Sequence, residues 1–423
     1  MPPPASPSSA IEAIFRIESA QLIAVTARIV RDIGVAEDIA QDALVAALEQ
    51  WPQSGIPAKP GAWLMATCKH RAIDYVRRRS LMERKQYQLV REFQDSEQAG
   101  TDQLDAELDG EIADDLLRLL FVCCHPVLPR EARVALTLRL MGALTTVEIA
   151  SAFLVREATI AQRIVRAKRT LAEAGVPFDA PTGDELKARL PAVLEVIYLV
   201  FNEGYAASSG EHWIRPELCE DAMRLGRILA ELLPEEGEVH GLTALMELQA
   251  SRLRARTSPL GEPLLLADQD RSRWDGVLIA RGLAALRRMQ RLNRRLGPYA
   301  LQAEIAACHA RARIPEQTDW VRIAALYDAL AQLTASPVVE LNRAVAVAVA
   351  YGPAAGLALV DAVADTPPLA AYHLLPSVRA DLLARLGRTD EALAELARAA
   401  TLTDNEPTRR LLARRAAELR GDP

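Results

Sequence analysis

The chain has 423 residues, half of them apolar and a quarter charged, with a formal net charge of −6. That is ordinary for a folded globular chain with room for several domains, and it excludes a uniformly basic nucleic-acid coat. Aromatic residues are scarce while Ala, Leu and Arg dominate, a mixture that favours helices over strands.

The N-terminal stretch MPPPASPSSAIEAIF has no Lys or Arg ahead of its short apolar run, so no secretory signal is expected. The longest apolar window, 190–201, is too short for a membrane span and contains Glu195. The five cysteines are Cys68, Cys123, Cys124, Cys219 and Cys308, and none forms a Cys-x-x-Cys pair. A reduced, cytoplasmic chain without membrane contact is the expectation. Zinc at Cys123-Cys124-His125 would need adjacent ligands, a spacing that common structural zinc sites do not use.

The first strongly periodic segment is 33–51. Ala36, Ile39, Ala40, Ala43, Leu44, Ala47 and Leu48 follow a helical template, and Glu37, Asp38, Gln41 and Asp42 share the other side. That side is either a solvated face or a polar docking surface. A second helix starts at Pro60. Its inner stripe is Leu64, Thr67, Cys68, Ala72, Tyr75 and Val76, its charge comes from Lys69, Arg71, Arg77, Arg78 and Arg79, and Trp63 stands at its start. An aromatic beside cations suits single-stranded nucleic acid, where bases stack and cations track phosphates. A core tryptophan beside a solvated basic edge is the other reading.

Charge then alternates in blocks. Lys59 to Lys85 holds eight Lys or Arg against two acids, Asp95 to Asp115 holds nine acids and no Lys or Arg, and Arg156 to Arg169 holds five Lys or Arg against Glu157. Two basic helical modules, 10–85 and 113–175, joined by a loose acidic linker at 86–112, are expected. The linker either competes with DNA for the modules or merely solubilises them.

In 145–171, Thr145-x-x-Glu148 reads as a capping box that opens a helix. After a break at 154–156 a second helix carries Ile160, Ile164, Ala167 and Leu171 on one stripe and Gln162, Arg163, Arg166 and Arg169 opposite. This predicts a helix-turn-helix whose second helix can enter a major groove, with Arg reading guanine, Gln reading adenine and the other cations on phosphates. Its turn, Leu154-Val155-Arg156, lacks the usual glycine. An amphipathic pair with a solvated basic face is the alternative.

A linker is expected at 176–185, followed by helices alone over 186–420. Gly352 and Gly387 each lie between two predicted helices. The order Ala380, Leu383, Gly387, Ala392, Leu396, Ala399 sets small residues where helices touch and a glycine at the turn. Over about 306–420 this resembles the tetratricopeptide repeat, with degenerate helical packing as the alternative. The fold class is therefore all-α: two small helical domains, an acidic linker and a helical-repeat extension.

Asn202, Glu203, His212, Glu217, Cys219 and Glu220 lie close in sequence and could form a metal site. The chain has no HExxH helix, no phosphate-binding Gly-rich loop and no Gly-x-Ser-x-Gly. Neither enzymatic activity nor a cofactor or metal is expected.

Taken in order, AEDIAQDALVAALEQW, WPQSGIPAKPG with AWLMATCKHRAIDYVRRR, and the helix-turn-helix resemble a bacterial sigma factor of the extracytoplasmic-function (ECF) type over residues 10–175. The long extension, with FNEGYAASSG, QDRSRWD and the repeat-like end, resembles group 42 of these factors. The resemblance implies that Asp38, Gln41 and Asp42 face core RNA polymerase. It implies that 51–63, with Trp63, captures or supports an unstacked −10 base and that Lys69, Arg71, Arg77 and Arg78 hold phosphates. It implies that Gln162, Arg163, Arg166 and Arg169 meet the −35 element. His70 stands among the −10 residues where the family commonly has Asn. The partners implied are core polymerase and promoter DNA, with an unknown protein or small ligand at the extension. A conventional helix-turn-helix regulator with a C-terminal sensor needs only 145–171 and leaves 33–79 unexplained. A pure repeat scaffold would have no effect on DNA.

Overall fold

A computed structural model describes residues 7–88, 108–153, 155–206, 214–258, 264–292, 294–370, 372–403 and 406–421. Regular structure there is helical, and no β-strand occurs among the described residues. Most of the acidic linker, together with Leu154 and His212, lies outside them. The chain divides into two compact units, 1–197 and 198–423.

The first unit contains α1 (Pro7–Val30), α2 (Ile33–Ser54), α3 (Pro60–Gln88), α4 (Leu108–Cys123), α5 (Arg130–Leu140), α6 (Thr146–Phe153), α7 (Glu157–Glu173) and the beginning of α8 (Gly183–Tyr205). Its centre is α1, which packs on α2, α3 and α4 and buries Leu22, Ile23, Ala24, Val25 and Ala27. Helix α2 starts where Asp32 caps it. The Asp32 carboxylate accepts from the Gly34 and Val35 amides at 2.7 and 3.1 Å, which satisfies two donors a helix start leaves open. It ends at Gly55, whose φ of 83° lets the chain reverse.

Cys123 and Cys124 close α4 facing inward. Burial pushes the Cys124 thiol up to about 11 and the Cys123 thiol well above its ordinary value, so both are protonated at neutral pH. His125 Nδ1 accepts from the Val127 amide at 3.2 Å. Among the described residues no three His, Cys, Asp or Glu side chains converge on one point.

Residues 176–182 are non-helical, yet the division into units comes later, inside α8. The reason lies in the early turns of that helix. Arg189 donates to the Phe121 carbonyl at 2.8 Å and sits over its ring, and Leu190, Val193, Leu194 and Val196 are buried.

The second unit takes the end of α8, then α9 (Pro216–Leu232), α10 (Gly237–Ala250), α11 (Gly276–Arg291), α12 (Pro298–Arg311), α13 (Trp320–Thr334), α14 (Pro337–Tyr351), α15 (Pro353–Val363), α16 (Leu374–Arg385), α17 (Thr389–Thr401) and α18 (Glu406–Arg420). Helix α10 is its hub, packed on α9, α11 and α12 and buried along nearly its whole length. From α12 onward each helix packs on the one before and the one after, so stability there is a sum of neighbour interfaces. Gly352 (φ 107°) and Gly387 (φ 75°) make the turns inside two of the pairs. Ala380, Leu383, Ala392, Leu396 and Ala399 are all buried between helices.

Two of the residues weighed as metal ligands have other partners. Glu203 pairs with Arg215 at 2.7 Å. The Cys219 thiol is held near the Phe201 carbonyl, and burial pushes it up to about 12.

Candidate nucleic-acid interface

Helix α2 presents two faces because its apolar residues recur at helical spacing. Ala36, Ile39, Ala40, Ala43 and Ala47 are buried. Asp38, Gln41 and Asp42 are exposed together on the other side. The fourth polar residue of this run behaves differently. Glu37 is only 5 % exposed, pairs with Arg139 of α5 at 2.5 Å, and pairs with Lys168 of α7. Gln41 donates to the same carboxylate at 3.1 Å. A buried carboxylate needs such partners, since leaving it alone would cost several kcal/mol. Gln41 of the exposed trio is thus tied through Glu37 to Lys168 of the helix-turn-helix.

A second buried acid does the same work nearby. Asp115 of α4 is fully buried and meets Arg28 of α1 at 2.9 Å and Arg118 at 2.7 Å.

On α3, Trp63 is half-buried and meets buried Trp51 of α2 edge to face, with ring centroids 5.3 Å apart. The pair fixes the loop between the two helices, and aromatic contacts of this kind add about 1 kcal/mol beyond burial. Trp63 is therefore a packed residue with one side open. His70, Arg77 and Arg78 are exposed and Lys69 is half-buried. Arg71 pairs with Asp42 at 3.0 Å across the α2–α3 contact, which brings a residue of the expected −10 set against one of the expected polymerase set. Both partners are largely solvated, so that pair contributes little and exchanges easily.

The helix-turn-helix is built as its spacing predicts. The Glu148 amide donates to Thr145 Oγ1 at 3.1 Å and the Thr145 amide donates to Glu148 Oε2 at 2.7 Å, a reciprocal cap on α6. Those bonds, with Arg16 at 2.8 Å, outweigh partial burial and hold the Glu148 carboxyl below its ordinary range. Ile160, Ile164, Ala167 and Leu171 of α7 are buried. Gln162 and Arg166 are exposed and Arg163 is half-buried, the three lining one shallow groove with Glu131 of α5. Arg169 is exposed but pairs with Glu173 one turn on, at 2.6 Å.

Geometry thus gathers the expected residues on two surfaces, the α2–α3 side and the outer side of α7. The role of Glu37 with Arg139 and Lys168 was hidden, because its partners are remote in sequence. The available signals were that Glu37 adjoins buried Ala36 and Lys168 adjoins Ala167 of the buried stripe.

Residues 14–81 match the family model described as Sigma-70 region 2, and residues 118–171 match Sigma-70, region 4. Residues 189–290 match a family of unknown function, DUF6596. The chain is also similar to the uncharacterized protein R00370 of Rhizobium meliloti (strain 1021). The two are 45 % identical over 379 residues, which covers 89 % of this chain and 88 % of that protein.

Proposed function

The chain belongs to the same family as its Rhizobium relative and itself carries the sigma-70 regions 2 and 4 and the DUF6596 domain of an ECF-like sigma factor; from that premise we propose that it binds core RNA polymerase and directs it to −35 and −10 promoter elements. The observation that carries this reading is the pairing of two open faces on one unit. Asp38, Gln41 and Asp42 are exposed over an inner face of α2 that is apolar apart from the buried Glu37, and Gln162 and Arg166 are exposed over the buried stripe of α7.

In this reading the α2 trio docks on polymerase. Trp63, braced by Trp51, supports an unstacked −10 base, which offsets part of the few kcal/mol that unstacking costs. Lys69, His70, Arg71, Arg77 and Arg78 lie along the melted strand. Gln162, Arg163, Arg166 and Arg169 meet the −35 duplex, where a bidentate Arg contact discriminates by about 1–3 kcal/mol. The factor works in the cytoplasm, where promoter DNA is. Its extension, with small residues at successive helix interfaces, is a tetratricopeptide-like stack of the group 42 type that modulates the sigma module.

The test is co-elution of the full-length chain with purified core polymerase, followed by promoter opening. D38A/Q41A/D42A should lose co-elution. R163E/R166E should keep it and lose transcription by at least about tenfold, since two groove contacts are reversed. Specific duplex binding with no binding to polymerase would instead favour the conventional regulator.

A further inference from the structure

The second unit carries a charged surface that regions 2 and 4 do not account for. From Arg271 to Arg295 there are eight arginines against the single acid Asp275, in a chain whose net charge is −6. Most of this run is helix α11. Asp275 caps the helix through the Val277 and Leu278 amides at 2.8 and 3.1 Å. Gly282, Ala285, Leu286 and Met289 form its buried face, packed among Ala244, Leu245 and Leu248 of α10 and Ala300, Ala303 and Ala307 of α12. At Gly282 the approach is so close that an added Cβ would lie 2.7 Å from Leu248 Cγ. The helix is held rigidly by that side.

Its outer side is arginine. Arg281, Arg287, Arg288 and Arg291 are exposed, and none has an ion pair or hydrogen bond among the described residues. Glu231 lines the same hollow as Arg281 and Arg288 without reaching ion-pair distance of either. Elsewhere in the unit arginines commonly meet acids, as Arg227 meets Glu247, Arg343 meets Asp328 and Arg379 meets Asp361. Like charges three or four residues apart, such as Arg288 with Arg291 and Arg287 with Arg291, disfavour the helix by a few tenths of a kcal/mol each. The helix dipole compensates only in the last turn. A row of cations maintained at that cost, with no acid of the described residues at ion-pair distance, fits an external polyanion.

The pattern also selects among polyanions. Ten residues at 1.5 Å each place Arg281 and Arg291 about 15 Å apart along the axis. One strand of duplex DNA presents a charge about every 3.4 Å, so four arginines over that length approach its charge density. An acidic protein partner would want apolar anchors inside the patch. On α11 the only exposed large apolar side chain is Val277, at the far end from the arginines.

We infer that the outer face of α11 binds the phosphate backbone of duplex DNA without regard to sequence. This goes beyond the promoter-reading proposal and does not require polymerase.

The test is fluorescence anisotropy on a duplex without promoter sequence, from 50 to 200 mM salt. The full-length chain carries R163Q/R166Q, so that α7 does not mask the result. Adding R281Q/R287Q/R288Q/R291Q should weaken binding at least about tenfold and flatten the slope of log K against log salt by about 3.6, at about 0.9 per phosphate contact. The corresponding four Arg→Lys changes should retain both, since a phosphate accepts a point charge. Thermal melts of the two variants show whether both are folded. An unchanged slope in the Gln variant, or no duplex binding by the R163Q/R166Q parent, overturns the inference. Loss of binding to poly-glutamate with retained duplex binding overturns it in favour of an acidic protein.

Discussion

The two units are held together by different chemistry. In the first, modules far apart in sequence meet through buried carboxylates. Glu37 gathers Arg139 and Lys168, and Asp115 gathers Arg28 and Arg118, with cations that are themselves mostly withdrawn from solvent. In the second, helices one or two apart in sequence meet through small residues. A Cβ at Gly356 would lie 2.4 Å from Ala348 Cβ and 2.7 Å from the Ala344 carbonyl, and one at Gly241 would lie 2.7 Å from the Ala300 nitrogen. Buried acids occur there too, but Glu304 meets Arg311 and Arg322 whose side chains are about half exposed. The difference teaches that the first unit is vulnerable at single charges and the second at single methyl groups.

That contrast can be broken at its strongest point first. Glu37→Ala should destabilise the first unit by about 3–5 kcal/mol, because two cations lose the carboxylate they surround. Denaturant unfolding followed by hydrogen exchange in α2 and α7 would show it, and an unchanged midpoint would remove the ionic account of the seam. Gly356→Val should cost the second unit about 2–3 kcal/mol through overpacking against backbone, read as a lower melting temperature with exchange in α14 and α15 rising first.

A pH titration sharpens the contrast further. His309 is buried against Trp320, and burial with Arg252 and Arg271 nearby drives its pKa from 6.5 down to about 3. The folded second unit therefore holds it neutral while the unfolded chain protonates it. That stability is fully present above pH 6.5 and is lost as pH falls from 6.5 toward 3. Between pH 6.5 and 5 the loss should be about 2 kcal/mol, and His309→Gln should flatten it. A second unit equally stable at pH 7 and 5 would contradict the buried-imidazole assignment.

The smallest effects lie at the cap of α6. Thr145→Ala should cost about 1 kcal/mol. Arg16→Gln, which removes an exposed pair with Glu148, should cost a few tenths. Melting of the two single variants against the parent would rank them.

Much of this was legible in the sequence because it is local. The buried stripes of α2 and α7 recur at helical spacing, and the Thr145–Glu148 cap spans three residues. The inner stripe of α3 is right at Leu64, Cys68 and Ala72, while Val76 is exposed. What escaped is what periodicity cannot encode. Helical spacing puts Glu37 on the polar side of α2 with Asp38, yet tertiary packing buries it. Arg71 reads as a free cation until the α2–α3 crossing brings Asp42 to it. The charge of α11 is written plainly in 271–295, but there the arginines alternate with Ala, Leu and Met, and the run reads as one more amphipathic helix until its outer face is seen without acids.

The reach of the Glu37 clasp also sets a schedule. Its nearer cation lies 102 residues downstream, so at roughly 5–20 residues per second of synthesis region 2 emerges and folds on the order of 10 s before Lys168 exists to complete the seam. During that interval Glu37 stays hydrated and the sides of α2 and α7 that later meet are apart. Closing them is a late, long-range step that the rest of region 2 does not wait for. Mutations at Glu37 should therefore act mainly on how fast the seam opens, not on how fast the helices form.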